Sequence, residues 1–479
     1  MIMINPKSIP VNIVGGTNFA RYPKITDEQT VNMMVTSSGD ISVLVPYAGY
    51  TKVASFFVND DPREVYESTI LDVMFVVMGN RVYRVNTNID YQLVGELDTF
   101  SGPVYFAENL ASQIGIVDGL ALYVYDYANN TFERVDIPDV TPAYIAFLDT
   151  YFIITDQTRR YWIISNSNDA YTYDPLMIAY LQTEADFLQC VVPLNRTLWV
   201  MGKKVSELWN DNPTGYNASG VGNPVSFPFQ RNNSISINYG VLSIQTICSD
   251  FQMLVWLAFS ASAGPTIVYT TGGTPEELSP DGLDYILKIL SAPEDSSAIM
   301  FKENGHILYQ ITFYTDNLSI VYDFSSKIWY TVTDQRQNHH IAKRAVFFNN
   351  NFYFINFDAK NPGLYLMSSQ INTYDGEIIP RIRICPPIRY NGKRFITHYF
   401  DIDMEQGENS DFRYIDMSLS KDGGQSFGNV YRKEMFPVGY RKGQNRFQNL
   451  GLSNDLRIKL MFLSRGRIVV LGASAMVSV

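Results

Sequence analysis

The chain has 479 residues, 46% hydrophobic and 18% charged, ordinary values for a folded globular protein and unlike those of a disordered or fibrous one. A formal charge of −11 argues against a protein that wraps nucleic acid, because phosphates need cationic neutralisation. Three cysteines, Cys190, Cys248 and Cys385, are odd in number and far apart, which disfavours a disulfide framework. The opening "MIMINPKSIP" lacks a secretory pattern, and the longest apolar runs, such as "ILDVMFVVMG", are too short to cross a bilayer.

In chain order, short alternating strands joined by polar turns dominate. "VMFVVMGNRVYRV" (73–85) predicts a hairpin turning at Gly79-Asn80. "YIAFLDTYFIITDQTRRYWIIS" (144–165) predicts three strands, and "VVPLNRTLWVMGKKVSELW" (191–209) turns at Asn195-Arg196. The series continues through 253–273, 306–332 and 345–368. The best helical pattern is "GGTPEELSPDGLDYILKIL", with Thr274 or Ser279 as cap and Leu283, Ile286, Leu287 and Leu290 on one face, expected to pack outside a sheet. Two segments repeat in register, "VYDYANNTFERV" from Val124 and "VYDFSSKIWYTV" from Val321. In each an Asp is placed to cap a turn and an aromatic (Phe132, Trp329) returns over the strand. Hairpin units of about 40–50 residues are the mark of propeller blades, here with irregular spacing. The expected fold is all-β: a degenerate β-propeller-like domain with an N-terminal extension over 1–375, then a C-terminal antiparallel β-sandwich over 376–479. The charge divides at the same place. Residues 376–479 hold 16 Lys+Arg against 10 Asp+Glu, a balance of +6; residues 1–375 hold 21 against 38, a balance of −17.

Near the C-terminus Ser420, Asp422, Gly424 and Phe427 fit the Asp-box pattern known from sialidase propellers. There the carboxylate accepts turn amides, Gly supplies a positive φ and the aromatic anchors the turn, so the motif is a structural turn. A single box with no accompanying arginine cluster does not make a glycosidase. The four histidines, including the adjacent His339-His340, have no metal-ligand spacing, and neither a nucleophile elbow nor a phosphate loop is present. No catalytic residue, metal or cofactor is expected. The acidic stretches "NDDPRE" (59–64) and "EQGENSD" (405–411) read as solvated loops, with Ca²⁺ left open. In "YRKEMFPVGYRKGQNRF" (431–447) the cations Arg432, Lys433, Arg441, Lys442 and Arg446 interleave with aromatics, making a charged hairpin face or a protein interface, with single-stranded nucleic acid or sugar as a lesser alternative.

Three stretches together resemble the tail accessory factors, or packaged-DNA stabilisation proteins, of short-tailed bacteriophages. They are "QTVNMMVTSSGDISVLVPYAGYTKVA" (29–54), "KKVSELWNDNPTGYNASGVGNPVSFPFQRNNSISINYGVLS" (203–243) and the run from Ser420 to Gly466 containing "SKDGG" and "NDLRIKLMFLSRG". Ala48 stands where the family more often has Pro. The resemblance implies a non-enzymatic virion protein that is assembled in the host cytoplasm, has no membrane partner and forms a hexameric ring in the tail below the portal and adaptor proteins. Such a ring helps retain packaged DNA, carries a tail needle or fibres, and lets genomic DNA pass its channel without specific binding. The competing class is a carbohydrate-binding or carbohydrate-cleaving propeller.

Overall fold

The computed structural model describes residues 6–21, 28–39, 41–183, 185–211, 227–390, 392–405, 412–440 and 445–479. Among these the strands form seven antiparallel blades and a two-sheet sandwich. Blade 1 spans 62–96, blade 2 105–135, blade 3 142–180, blade 4 188–231, blade 5 240–277 and blade 6 296–331; blade 7 takes three strands from 342–368. The first strand of each blade is innermost and neighbours the first strands of adjacent blades.

Blade 1 shows why these sequences become blades. Its second strand, Val73–Met78, is buried along its whole length. Met74, Val76 and Met78 join a core with Tyr353, Ile355 and Leu364 of blade 7, while Val73, Phe75 and Val77 join one with Ile114 and Ile116 of blade 2. A strand covered on both faces reads as an unbroken apolar run, and alternation assigns successive side chains to opposite neighbours. The predicted turns at Gly79-Asn80 and Asn195-Arg196 are present. The two repeated segments are the third-to-fourth-strand hairpins of blades 2 and 6. Asp126 accepts the amides of Ala128 (2.9 Å) and Asn129 (3.1 Å), and Asp323 accepts that of Ser325 (2.9 Å).

The fourth strand of blade 7 comes from the other end of the chain. Gly49–Ser55 pairs antiparallel with Gly363–Ser368 and closes the ring. Gly49 is needed there, since a Cβ would lie 2.3 Å from the Ile371 carbonyl oxygen. The segment before it, expected as an extension of the propeller, instead supplies strands to the sandwich. One sheet joins Met33–Ser38, Ile41–Pro46, Val470–Ser478, Phe395–Met404 and Asn445–Ser453, with Lys7–Val11 also on Val470–Ser478. The other continues outward from blade 6. Gln29–Val31 bridges Ile328–Thr331 to Arg381–Ile384, followed by Asp455–Ser464, Arg413–Ser420 and Tyr431–Glu434. Met33, Leu44, Phe400, Met417, Leu460 and Ala475 meet in one core between the sheets. Arg383 fixes the bridge: its buried guanidinium donates to the carbonyls of Ile13 (2.8 Å) and Gly16 (2.8 Å) and to the Glu28 carboxylate (2.6 Å).

The helix spans Asp281–Ile289 against blade 5, with Leu283 and Leu287 buried. Pro280, not Thr274 or Ser279, occupies its N-cap. Ser279 instead donates to Asp284 Oδ1 (2.5 Å), and its hydroxyl oxygen accepts the Ile267 amide (2.9 Å), so it ties helix to strand.

Where propeller meets sandwich, His340 is fully buried among Tyr47, Tyr50, Phe354 and Tyr374. Its Nδ1 accepts from Gln310 Nε2 (3.0 Å) and the Ala342 amide (3.3 Å), which places the ring proton on Nε2. A second proton would displace both donors. Burial, and then His339, holds the ring down to about 3. The native state thus keeps a neutral imidazole, whereas the unfolded chain takes up a proton below the ordinary 6.5. Its stabilisation is complete above that value and is lost as pH falls toward about 3. From about pH 6.5 to about 5.5 unfolding free energy should drop by about 1 kcal/mol through this residue. Urea titrations of wild type and His340→Gln at the two pH values check it: the variant should show a shallower slope.

Candidate functional site

One side chain links four blades near the propeller axis. Arg344, on the inner strand of blade 7, donates Nε to both Glu64 oxygens (3.0 and 2.9 Å) on the inner strand of blade 1. Its Nη1 reaches the carbonyls of Gln245 (3.0 Å) in blade 5 and Ala298 (3.4 Å) in blade 6. Lys343 beside it donates to the Pro62 carbonyl (2.6 Å) and pairs with Asp61 (3.3 Å). Burial raises the Glu64 carboxyl against the pull of Arg344, and the nearby carboxylate keeps Arg344 protonated. Beside Lys343 lies a polar cup of about 690 Å³, lined by Tyr105, Arg159, Gln189, Lys203, Glu294 and Lys343 among others.

This arrangement explains "NDDPRE", expected to be a solvated loop. Asp60 pairs with Arg81 (2.8 Å), Asp61 with Lys343 and Glu64 with Arg344. Arg63 is fully buried, bonded to the carbonyls of Gly79, Thr99 and Gly102. The stretch is the seam between the first and last blades. Most of "EQGENSD", residues 406–411, lies outside the described residues. Among the described residues no group of three His, Cys, Asp or Glu could hold a metal ion. The cysteines are buried and free, and burial pushes the Cys385 thiol up to about 11.

At the turn after Arg413–Ser420, Asp422 accepts from Ser420 Oγ (2.6 Å), Ser426 N (3.1 Å) and Ser426 Oγ (2.5 Å), and Ser420 Oγ receives the Gly424 amide (2.9 Å). Gly424 has φ +90°. The Ser420 hydroxyl, then Ser426, hold the Asp422 carboxyl well below the usual range. Phe427 is half-buried, with Lys459 Nζ 5.8 Å from its ring centroid.

The basic stretch 431–447, expected as one hairpin, is split between the two sheets: Tyr431–Glu434 pairs with Arg413–Ser420 and Asn445–Ser453 with Phe395–Met404, and its described arginines find acidic partners there. Arg432 grips Asp416 with two bonds (2.7 and 2.6 Å), and Arg446 grips Asp401 (2.7 and 2.8 Å) while lying 3.9 Å from the Tyr399 centroid. Lys433 donates to the Arg446 carbonyl (3.3 Å). In each Arg–Asp pair the two residues face each other across adjacent strands. Arg441 and Lys442 lie outside the described residues.

A closed propeller fused to a sandwich, held by internal ion pairs, defines a β-propeller scaffold. The chain belongs to the family described as bacteriophage P22 Gp10, beta-propeller, whose model matches residues 9–372. It is a structural protein of a bacteriophage virion. No curated protein sequence matches. Among solved structures, a catalytically inactive variant of virginiamycin B lyase from Staphylococcus aureus with quinupristin aligns over 67% of this chain and 99% of its own, at 11% identity and TM-score 0.44. The N-terminal domain of Nup159 aligns over 71% and 98%, at 9% and 0.41. The WD40 propeller of Doa1 aligns over 67% and 97%, at 9% and 0.42. At these scores no function transfers from them.

Glu64→Ala, which strands the Arg344 guanidinium, should cost about 3–5 kcal/mol in urea unfolding, and Glu64→Leu with Arg344→Met should cost less than the single change. Asp422→Ala should lower the thermal midpoint at neutral pH without altering the circular dichroism spectrum. Because a depressed carboxyl contributes above its ordinary value of 3.8, the gap from wild type should close as pH falls below that value.

Proposed function

We propose that the chain is a tail hub or accessory ring protein, assembled in the host cytoplasm as a hexameric ring below the portal and its adaptor. In this reading the ring extends the tail, helps retain packaged DNA and anchors a needle or fibres, without catalysing a reaction. The observation that carries the reading is the family match across residues 9–372. Two features support it. Arg344 bonds residues of blades 1, 5, 6 and 7 together, so in this reading DNA runs between copies and not through a propeller. The acidic body, −17 over residues 1–375, suits a lumen past which phosphates slide without being held.

The test is a phage lacking this chain. Heads should fill and then leak, leaving nuclease-sensitive DNA, and purified wild-type protein added to those heads should restore retention and add a ring-shaped layer by electron microscopy. Particles that keep their DNA without the chain, or a purified chain that turns over glycans instead, would overturn the proposal.

A further inference from the structure

The end of the axis opposite the polar cup has a different chemistry. Five blades join their first two strands by a two-residue turn with both central residues at positive φ: Asp149-Thr150, Asn195-Arg196, Phe251-Gln252, Asn304-Gly305 and Asn349-Asn350. Such turns favour Asn, Asp or Gly, whose side chains tolerate the left-handed region. Four of the five place Asn or Asp first; blade 5 places Phe251, at φ +52°. A bulky residue held there is a local cost that folding alone does not explain.

Phe251 is 44% exposed and Phe347, on blade 7, is 56% exposed. Between them opens a cavity of about 500 Å³, floored by Met300, Phe301 and Phe352. That size is in the range of about 300–1,000 Å³ typical of sites that enclose a ligand group. Glu67 and Asp250 stand in its wall, with Lys302 as the cation there. Burial raises both carboxyls; Asp72 and Glu108 raise Glu67 further, and Arg344 only partly offsets the effect at Asp250. Two carboxylates against one lysine, beside an exposed aromatic mouth, complement an apolar group that carries a positive charge.

We propose that this recess is a docking cup for a partner polypeptide presenting an aromatic side chain next to a lysine or arginine. The aromatic ring enters between Phe251 and Phe347, and the cation meets Glu67 and Asp250. The cup belongs to a single copy, so it stands independently of ring formation and of tail position.

The full-length protein is titrated with two blocked dipeptides, acetyl-Trp-Lys-amide and acetyl-Trp-Glu-amide, by NMR or calorimetry. The lysine peptide should bind saturably and at least tenfold more tightly. Glu67→Gln should collapse that preference. Phe251→Asn, which installs the residue used by the sister turns, should weaken binding at least fivefold without lowering the thermal midpoint. The proposal is overturned if neither peptide saturates, if both bind alike, if Glu67→Gln keeps the preference, or if Phe251→Asn binds as wild type. A lowered midpoint for Phe251→Asn would also overturn it, since Phe251 would then be packing the fold and not serving a partner.

Discussion

The ion pair between Arg344 and Glu64 is where the propeller becomes a ring. A chain of blades has two ends, and each end buries an apolar face only if it meets the other. Glu64 opens the first blade and Arg344 opens the last, so their contact at 2.9 Å spans that junction. The same guanidinium holds carbonyls of blades 5 and 6, which makes it a hub for four of the seven blades. Such a pair is costly to desolvate, and its value lies less in net energy than in fixing one closure register among the several that similar blades permit.

The remaining seams use the same device with different partners. Arg63 ties blade 1 to the loop before blade 2 through the carbonyls of Thr99 and Gly102. Arg381 reaches the carbonyls of Ser464 (3.1 Å) and Asn372 (3.0 Å), and Arg383 gathers the N-terminal segment. A planar guanidinium suits this task because its five donors reach several backbone acceptors from one buried position. The propeller and the sandwich are thereby joined by continuous strand pairing and by arginine, with no flexible linker between them among the described residues.

The part of the fold legible in the sequence is the part written in local periodicity. Apolar alternation and paired turn residues mark the hairpins of blades 1, 3 and 4, and the Val-Tyr-Asp repeats mark equivalent turns in blades 2 and 6. The number of blades is not legible, because the inner strand of blade 5 is broken into Gly240–Val241 and Cys248–Asp250 around a short 3-10 turn. Nor is the placement of Lys7–Val11, Gln29–Val31 and Gly49–Ser55, whose partners lie hundreds of residues away. The charged seam escapes a local reading for a related reason: "NDDPRE" looks solvated until Lys343 and Arg344 are brought beside it. In the basic stretch 431–447, counting cations cannot reveal that Asp416 faces Arg432 in one sheet and Asp401 faces Arg446 in the other.

The pairing of the two chain ends also sets an order of events during synthesis. Lys7 lies opposite Val477, and Gly49 opposite Ser368. As the ribosome delivers the chain, blades 1 to 6 can each form from contiguous sequence, but Gly49–Ser55 lacks its blade partner until Gly363–Ser368 has emerged, and Lys7–Val11 lacks one until Val470–Ser478 has. Their unpaired edges are the part of the nascent chain most open to mispairing with another chain. Completion of the ring thus becomes possible before completion of the sandwich, and both come late, so a prematurely terminated chain carries open edges in place of a smaller finished protein.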